Sequence, residues 1–265
     1  MSKKRQAAVL DPRGHVAAQL TTLSYDYVDG HVVPAHFHRE HQLVFGVHGV
    51  MTIRTGKGMW VVPPLRAVWI PAGEVHSIAM TGAVRMRTLY FAAGAARAIE
   101  RRCFVLNVSP LLRELILHAC RQPAWSARIA MEQRVIAMAL DQLRQAKIVP
   151  LQLPQPQDAR ALRVVDELVR HPGDPRPLEA LCKSAGASKR TVERAFIDGT
   201  GMSFGKWRQQ LRLLHAMRRL SAGEKVLAAA LDAGYRSPSA FIAVFRKSFG
   251  QTPNRYFESD AGAAE

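Results

Sequence analysis

LEALCKSAGASKRTVERAFIDGTGMSFGKW, Leu178 to Trp207, and VLAAALDAGYRSPSAFIAVFRKSFGQTPNRY, Val226 to Tyr256, are two versions of one pattern. With Ser188 set on Ser237, Phe196 falls on Phe245, Gly201 on Gly250, Phe204 on Pro253 and Trp207 on Tyr256, all at one offset of 49 residues. Ala185-Gly186 pairs with Ala233-Gly234 once a one-residue insertion in the turn is allowed. A repeat at fixed offset means one supersecondary unit used twice.

Each copy predicts helix, turn, helix. A short apolar helix (Leu178, Leu181 and Cys182; then Val226, Ala230 and Leu231) runs into Ala-Gly, and glycine can take the left-handed conformation that closes a helix. Ser188 and Ser237 stand where an N-cap is wanted, and Pro238 follows at a first helical position, where its missing N–H costs nothing. The second helix of each unit has apolar residues at helical spacing: Val192, Ala195 and Phe196, then Phe241, Ile242 and Phe245. The opposite face shows Lys189, Arg190, Glu193 and Arg194 in the first copy, and Ser239, Ala240, Ala243, Arg246 and Lys247 in the second. Two hairpins of an ordinary bundle are the competing reading. Two copies in register, both with a basic outward face, favour helices that enter a DNA major groove.

The run from Gly186 through Phe257 resembles the tandem helix-turn-helix domain of the AraC/XylS transcription regulators. Its most specific block is GYRSPSAFIAVFRKSFGQTPNRYF, Gly234 to Phe257, and WRQQLRLLHAMRRL, Trp207 to Leu220, is similar to the helix that joins the two units. The resemblance implies two recognition helices in successive major grooves on one side of the duplex, about 34 Å apart. A joining helix over 205–220 supplies about 24 Å at 1.5 Å per residue. The resemblance also puts Arg190 and Arg194 at base edges, where arginine discriminates guanine by about 1–3 kcal/mol. Glu193 between them either accepts from cytosine or orients an arginine. Ser239, Ala240 and Ala243 carry no long polar reader, whereas Arg246, Lys247 and the amides at Ser237 and Ser239 suit phosphate. The expectation is an asymmetric reader, specific in its first unit and anchoring in its second. Arg212, Arg218 and Arg219 on the joining helix read as a solvated face.

The 265 residues suffice for two domains, and 48% apolar residues suffice for packed cores. No window approaches 18 uninterrupted apolar residues, and the opening MSKKRQAAVLDPRG lacks the apolar stretch of a signal peptide. Three cysteines without a CxxC pair read as reduced thiols of a cytoplasmic protein. The net charge of +16 points to a polyanion. Ser188 to Tyr256 holds 13 basic against 4 acidic residues, while the basic residues of the N-terminal half are scattered.

From about Leu23 to Phe91 the chain predicts about seven short strands, at 24–27, 42–47, 50–54, 59–62, 67–70, 76–80 and 84–91. Gly49, Gly56-Lys57-Gly58, Pro63-Pro64, Pro71-Ala72-Gly73 and Thr81-Gly82 mark turns between them. Gly30-x5-His36-x-His38-x3-Gln42-x6-Gly49 resembles the first cupin motif, with Gln42 where a glutamate is usual. Pro71-x-Gly73-x2-His76 resembles the second, with Met80 at its closing asparagine position. That resemblance implies a double-stranded β-barrel with a central pocket, a sensor that recurs fused to AraC-type DNA readers. His36 and His38 alternate and so share a face, and His76 comes from a paired strand. With Gln42 they offer a divalent transition metal three imidazoles and an amide, with Glu40 and His41 in reserve. The alternative is that these side chains bind an effector directly or fill the barrel.

Helical stripes follow at Leu111, Leu112, Leu115, Ile116 and Ala119, and at Val135, Ile136, Ala139, Leu140 and Leu143. VPLQLPQPQD, Val149 to Asp158, reads as an extended linker. The expected fold is α+β in two domains. An arm (1–22) precedes a cupin-like sensor and dimerisation domain (23–148: barrel 23–91, helices 110–147), and the linker spans 149–158. An all-α DNA-binding domain occupies 159–257, with helix-turn-helix units at 178–199 and 226–249, and a tail follows (258–265). The resemblance implies double-stranded operator DNA, a small-molecule effector, a second copy of the chain and RNA polymerase as partners, with no membrane. Two other functions compete. One is a metal-dependent cupin enzyme with an attached helical domain, which leaves the tandem reader unexplained. The other is a DNA-binding module with a vestigial barrel.

Overall fold

Two long strands organise the N-terminal unit. The structure, a computed structural model, describes residues 8–9, 18–99, 102–149 and 151–261. The expected arm at 1–22 lies mostly outside them. The strands are β1 (Ala8–Val9), β2 (Leu20–Tyr27), β3 (Val32–Phe37), β4 (His41–Thr55), β5 (Gly58–Val62), β6 (Arg66–Ile70), β7 (His76–Phe91), β8 (Phe104–Asn107), β9 (Ala124–Trp125), β10 (Ile148–Val149) and β11 (Gln152–Pro154). The described residues form two compact units, one within Met1–Gly56 and Trp60–Leu151, the other within Lys57–Met59 and Gln152–Glu265.

In the first unit β4 and β7 pair antiparallel along almost their whole length, from His41↔Phe91 to Thr55↔His76. Their register shifts at Gly46–Val50, so each strand serves two half-sheets. One half adds β2 beside Val84–Phe91 and β6 beside Gln42–Phe45, and β8 and β10 continue it. The other adds β3 beside His76–Ala79, with β5 on β4. The turns expected at Gly49 and at Thr81-Gly82 are therefore bulges inside continuous strands. Gly49 sits at φ +74, and a Cβ there would lie 2.4 Å from the Ala83 carbonyl oxygen, so the crossing chains admit only glycine.

Two helices close one side: α1 (Pro110–Ala119) and α2 (Ala130–Gln145). Ser109 caps α1 by accepting from Leu112 N. Leu112, Ile116 and Ala119 of α1 and Ile136, Ala139, Leu140 and Leu143 of α2 bury against Leu43, Trp69 and Phe91 of the sheet. Both expected stripes are thus in the core, though Leu111 at the start of the first remains 48% exposed.

The second unit holds α3 (Ala159–Arg170), α4 (Leu178–Ser184), α5 (Lys189–Thr200), α6 (Phe204–Ser221), α7 (Val226–Asp232), α8 (Pro238–Phe249) and α9 (Pro253–Ala261). The repeat is visible atom by atom. Ser188 and Ser237 cap α5 and α8 by accepting from Thr191 N and Ala240 N, and Gly201 (φ 69) and Gly250 (φ 79) end them left-handed. Phe196 packs edge-on to Trp207 at 5.2 Å, and Phe245 edge-on to Tyr256 at 5.6 Å. The tail begins later than expected, because α9 runs to Ala261. In α7 the buried residues are Ala229 and Ala230, whereas Leu231, expected inside, is 52% exposed.

Two further expectations fail, at the linker and on α6. The linker is not free chain, since Leu151 and Leu153 are buried and Trp207 Nε1 donates to Pro154 O at 2.8 Å. Nor do the α6 arginines form a solvated face. Arg212 donates to Asp174 O at 2.9 Å, Arg219 pairs with Glu224 at 2.8 Å, and Arg218 contacts His215. Arg208, also on α6, donates to Arg176 O and Asp174 O.

The loop these arginines hold meets the second turn. A Cβ on Gly173 would lie 2.3 Å from Asp232 O, and one on Gly234 would lie 2.8 Å from Gly173 O. Gly173→Ala is expected to destabilise the helical domain by about 1–3 kcal/mol, because backbone rather than a flexible side chain must move. Gly205→Ala, in α6 with nothing within 4 Å, should leave it unchanged or raise it by up to about 1 kcal/mol. Urea unfolding followed by far-UV circular dichroism checks the contrast.

Candidate functional site

The helical unit exposes the outward faces of α5 and α8. Phe196 and Phe245 turn inward and are fully buried, which fixes what the rest of α5 and α8 can show. Lys189, Arg190, Glu193 and Arg194 are all exposed on α5. On α8, Ser239, Ala240, Ala243, Arg246 and Lys247 are exposed, and the cap Ser237 is half-buried. Ala195 and Ile242, expected in the core, are only half-buried at its edge. Lys189 is partly engaged, since its Nζ lies 2.6 Å from Glu179, although at the surface such a pair holds it weakly.

Ile197, 51% exposed, was missed by the sequence reading. It lies seven residues after Arg190, on the helical face of Arg190, Glu193 and Arg194. An isoleucine reads as core from its type alone, and only the packing of Phe196 shows which way the neighbouring residue points. Through the 49-residue offset, Arg190 and Arg194 correspond to Ser239 and Ala243, while Ile197 and Asp198 correspond to Arg246 and Lys247. Long polar side chains thus occupy the first turns of α5 and the last turn of α8. In that last turn Arg246 and Lys247 also complement the partial negative charge of the helix C-terminus.

The barrel unit brings its four expected residues together. His36 pairs in register with His76 across β3 and β7, and His38 follows one residue beyond the end of β3. All three are buried, and one ring nitrogen of each lies within 4.8 Å of the others. Each Nδ1–H donates to a backbone carbonyl two residues away: His36 to Pro34 O at 2.7 Å, His38 to Glu40 O at 2.8 Å and His76 to Glu74 O at 2.8 Å. Carbonyls only accept, so the proton sits on Nδ1 and each Nε2 keeps its lone pair. His76 Nε2 is buried without a partner among the described residues. Burial pushes His76 down to about 3 and also lowers His36, so both are neutral at neutral pH.

Gln42 completes the group from the other half-sheet. It stands opposite Tyr90 across β4 and β7, and Thr88 lies two residues away on the same face. Thr88 Oγ1 gives its hydrogen to Leu43 O at 3.1 Å and so accepts from Gln42 Nε2 at 3.0 Å. That orientation turns Gln42 Nε2 toward the Tyr90 hydroxyl as well, and Gln42 Oε1 toward His38 Nε2, 3.0 Å away. Two lone pairs therefore face one another, an arrangement that suits a cation between them. The expected reserves do not join. Glu40 contributes its backbone carbonyl to His38, and His41 stacks on Trp69 while accepting from Ala72 N.

The donor set fits a divalent transition metal: three neutral imidazoles held by backbone carbonyls, an orphaned His76 Nε2 and an amide oxygen. A cavity of about 660 Å³ lies against the same scaffold, lined by His41, Gly73, Glu74, Arg97 and Ile99 among others. Gly73 N donates to His38 O, and Glu74 O holds His76, so the cavity wall and the histidine cluster share one backbone turn.

Residues 21–205 match the family described as AraC-like ligand binding domain, and residues 181–259 match the family described as helix-turn-helix domain. The chain is 33% identical over 246 residues to the HTH-type transcriptional regulator NimR of Escherichia coli (strain K12), covering 93% of this chain and 90% of that one. It is 31% identical over 99 residues to the regulatory protein SoxS of the same organism, covering 36% of this chain and 92% of the relative. Among solved structures, ToxT from Vibrio cholerae aligns over 90% of this chain and 97% of its own with 10% identity and a TM-score of 0.38.

Gln42→Leu removes the two buried hydrogen bonds that Nε2 donates to Thr88 and Tyr90, at nearly constant volume. It should lower the stability of the barrel unit by about 1–3 kcal/mol, read by chemical denaturation. No change in the midpoint would mean that the network does not hold the site.

Proposed function

The chain belongs to the AraC family of transcription regulators, with a ligand-binding domain and a DNA-binding helix-turn-helix domain, and from that premise we propose a division of labour among its named residues. Arg190 and Arg194 read bases from α5, with Glu193 beside them and Ile197 against thymine methyls. Arg246, Lys247 and the amides at Ser237 and Ser239 hold phosphates at α8, where Ala240 and Ala243 let the helix approach closely. The observation that carries this reading is the offset correspondence: equivalent outward positions hold Arg190 and Arg194 in one unit and Ser239 and Ala243 in the other.

The barrel is the sensor. His36, His38 and His76, with Gln42, would hold a divalent transition metal, which supplies a Lewis-acid point for an effector. The barrel binds and does not turn over substrate, because a tandem DNA reader needs an occupancy signal rather than a product. The protein works in the cytoplasm; among the described residues no helix is long and apolar enough to cross a membrane. It acts as a homodimer on promoter DNA, with RNA polymerase as a further partner. Met131 and Met138 fall on one stripe of α2, each about half exposed, and supply an apolar face for the second copy.

Arg194→Ala is expected to reduce discrimination between operator bases by about 1–3 kcal/mol. Lys247→Ala should weaken binding to all sequences alike and lower the salt slope by about 0.9. Selection of bound sequences from a random pool, followed by salt titration of each variant, measures both effects. Equal changes in sequence preference would overturn the asymmetry.

A further inference from the structure

We propose that the barrel takes its metal together with an anion, and that the effector is a small organic acid whose carboxylate completes the coordination. This rests on the metal reading of the histidine cluster and adds the chemistry of the ligand.

Charge carries the inference. His36, His38, His76 and Gln42 are all neutral donors, and each Nδ1–H is committed to a backbone carbonyl. Among the described residues of the barrel unit the buried polar ones are threonines, histidines and Gln42, with no aspartate or glutamate among them. A divalent ion held by this set would keep its whole charge against the apolar sheet face that Met51, Ile53 and Ile78 share with His76. Burying an uncompensated charge is costly, and such groups are found paired. Where a carboxylate side chain could stand, the chain has an amide, and Thr88 and Tyr90 are arranged to accept from its Nε2. The missing negative charge must therefore arrive with the ligand.

The neighbouring cavity agrees. Its volume of about 660 Å³ suits a small molecule. Arg97 on its wall offers a cation to an acid group, while Ala93, Ala96 and Ile99 supply apolar surface for the remainder. The backbone turn Gly73–Glu74 ties that wall to His38 and His76.

The test titrates the full-length protein with Co(II), whose visible spectrum reports its coordination. Titrations are run at neutral pH in perchlorate, a non-coordinating anion, with and without added acetate or benzoate. The expected result is a Kd for Co(II) lower by about tenfold or more with carboxylate present, together with a changed spectrum. Gln42→Glu places the charge in the protein instead. It should bind Co(II) more tightly in perchlorate and lose the carboxylate effect. Should that variant fail to fold by circular dichroism, the wild-type comparison decides alone. Equal Kd and equal spectra in the two media would overturn the proposal and leave the metal reading standing. Absence of Co(II) binding in both media would overturn the metal reading and the proposal with it.

Discussion

Two DNA-reading helices are useful only if the distance and angle between them are fixed, and here that constraint rests on a backbone contact no side chain can enter. Gly173, between α3 and α4, lies against Asp232 and Gly234 at the second helix turn, and a Cβ on Gly173 would overlap the Asp232 carbonyl. The contact brings the entry to the first unit against the turn of the second. Arg208 and Arg212 of α6 donate to the carbonyls of Asp174 and Arg176 and so pin the same loop. Arg176 in turn is held by Asp174 at 2.5 Å and Glu167 at 2.8 Å. An 18-residue α6 spans about 27 Å, but a helix alone leaves rotation about its axis open. The glycine contact and the arginine clamps restrict that freedom by tying the loop before α4 to the turn before α8.

The barrel solves a different problem with similar economy. Three imidazoles must point one nitrogen each at a common place without a metal to hold them there. Each is oriented instead by a backbone carbonyl two residues away, which costs no extra side chain and sets the tautomer. The fourth donor, Gln42, is oriented by Thr88, itself fixed on Leu43 O. The result is a neutral, preorganised group where the two half-sheets meet. A buried neutral group is tolerable when empty, whereas a carboxylate at the same depth would demand a partner. Neutrality therefore suits a sensor that must be stable both with and without its ligand.

The parts legible in the sequence are those whose signals are local. Caps, left-handed glycines and aromatic anchors sit within a few residues of the elements they specify, so α4, α5, α7 and α8 were readable nearly to the residue. The His36 and His38 pair is legible because alternation along a strand is a local rule, whereas His76, 40 residues on, joins them only through the resemblance to the cupin motifs. What was hidden depends on distant chain. Gly49 has the composition of a turn, and only the passage of Ala83 across it makes it a bulge. Strand β3 has an exposed run, Val32 to Ala35 with Pro34 inside it, and lacks the alternation of a half-buried strand. The Pro/Gln-rich segment has a linker's composition, yet Leu153 is buried and the Pro154 carbonyl receives the Trp207 indole. Arg212 on α6 resembles part of a solvated stripe because its partner is a backbone carbonyl, as are those of Arg208, and carbonyls carry no sequence signature.

The internal repeat also separates what holds the fold from what reads the ligand. Between the two copies the caps, the closing glycines and the aromatic pairs correspond in kind: Ser188 with Ser237, Gly201 with Gly250, and Phe196–Trp207 with Phe245–Tyr256. These positions are buried or conformationally constrained, so few residue types satisfy them. The outward positions obey no such restriction, and there the copies diverge, arginine against serine and alanine. A solvent-facing residue changes fold stability little and contact chemistry greatly. Two units with one scaffold can thus take different tasks on the same duplex. The barrel shows the same separation at Gln42: its hydrogen bonds to Thr88 and Tyr90 belong to the scaffold, while its carbonyl oxygen faces His38 Nε2.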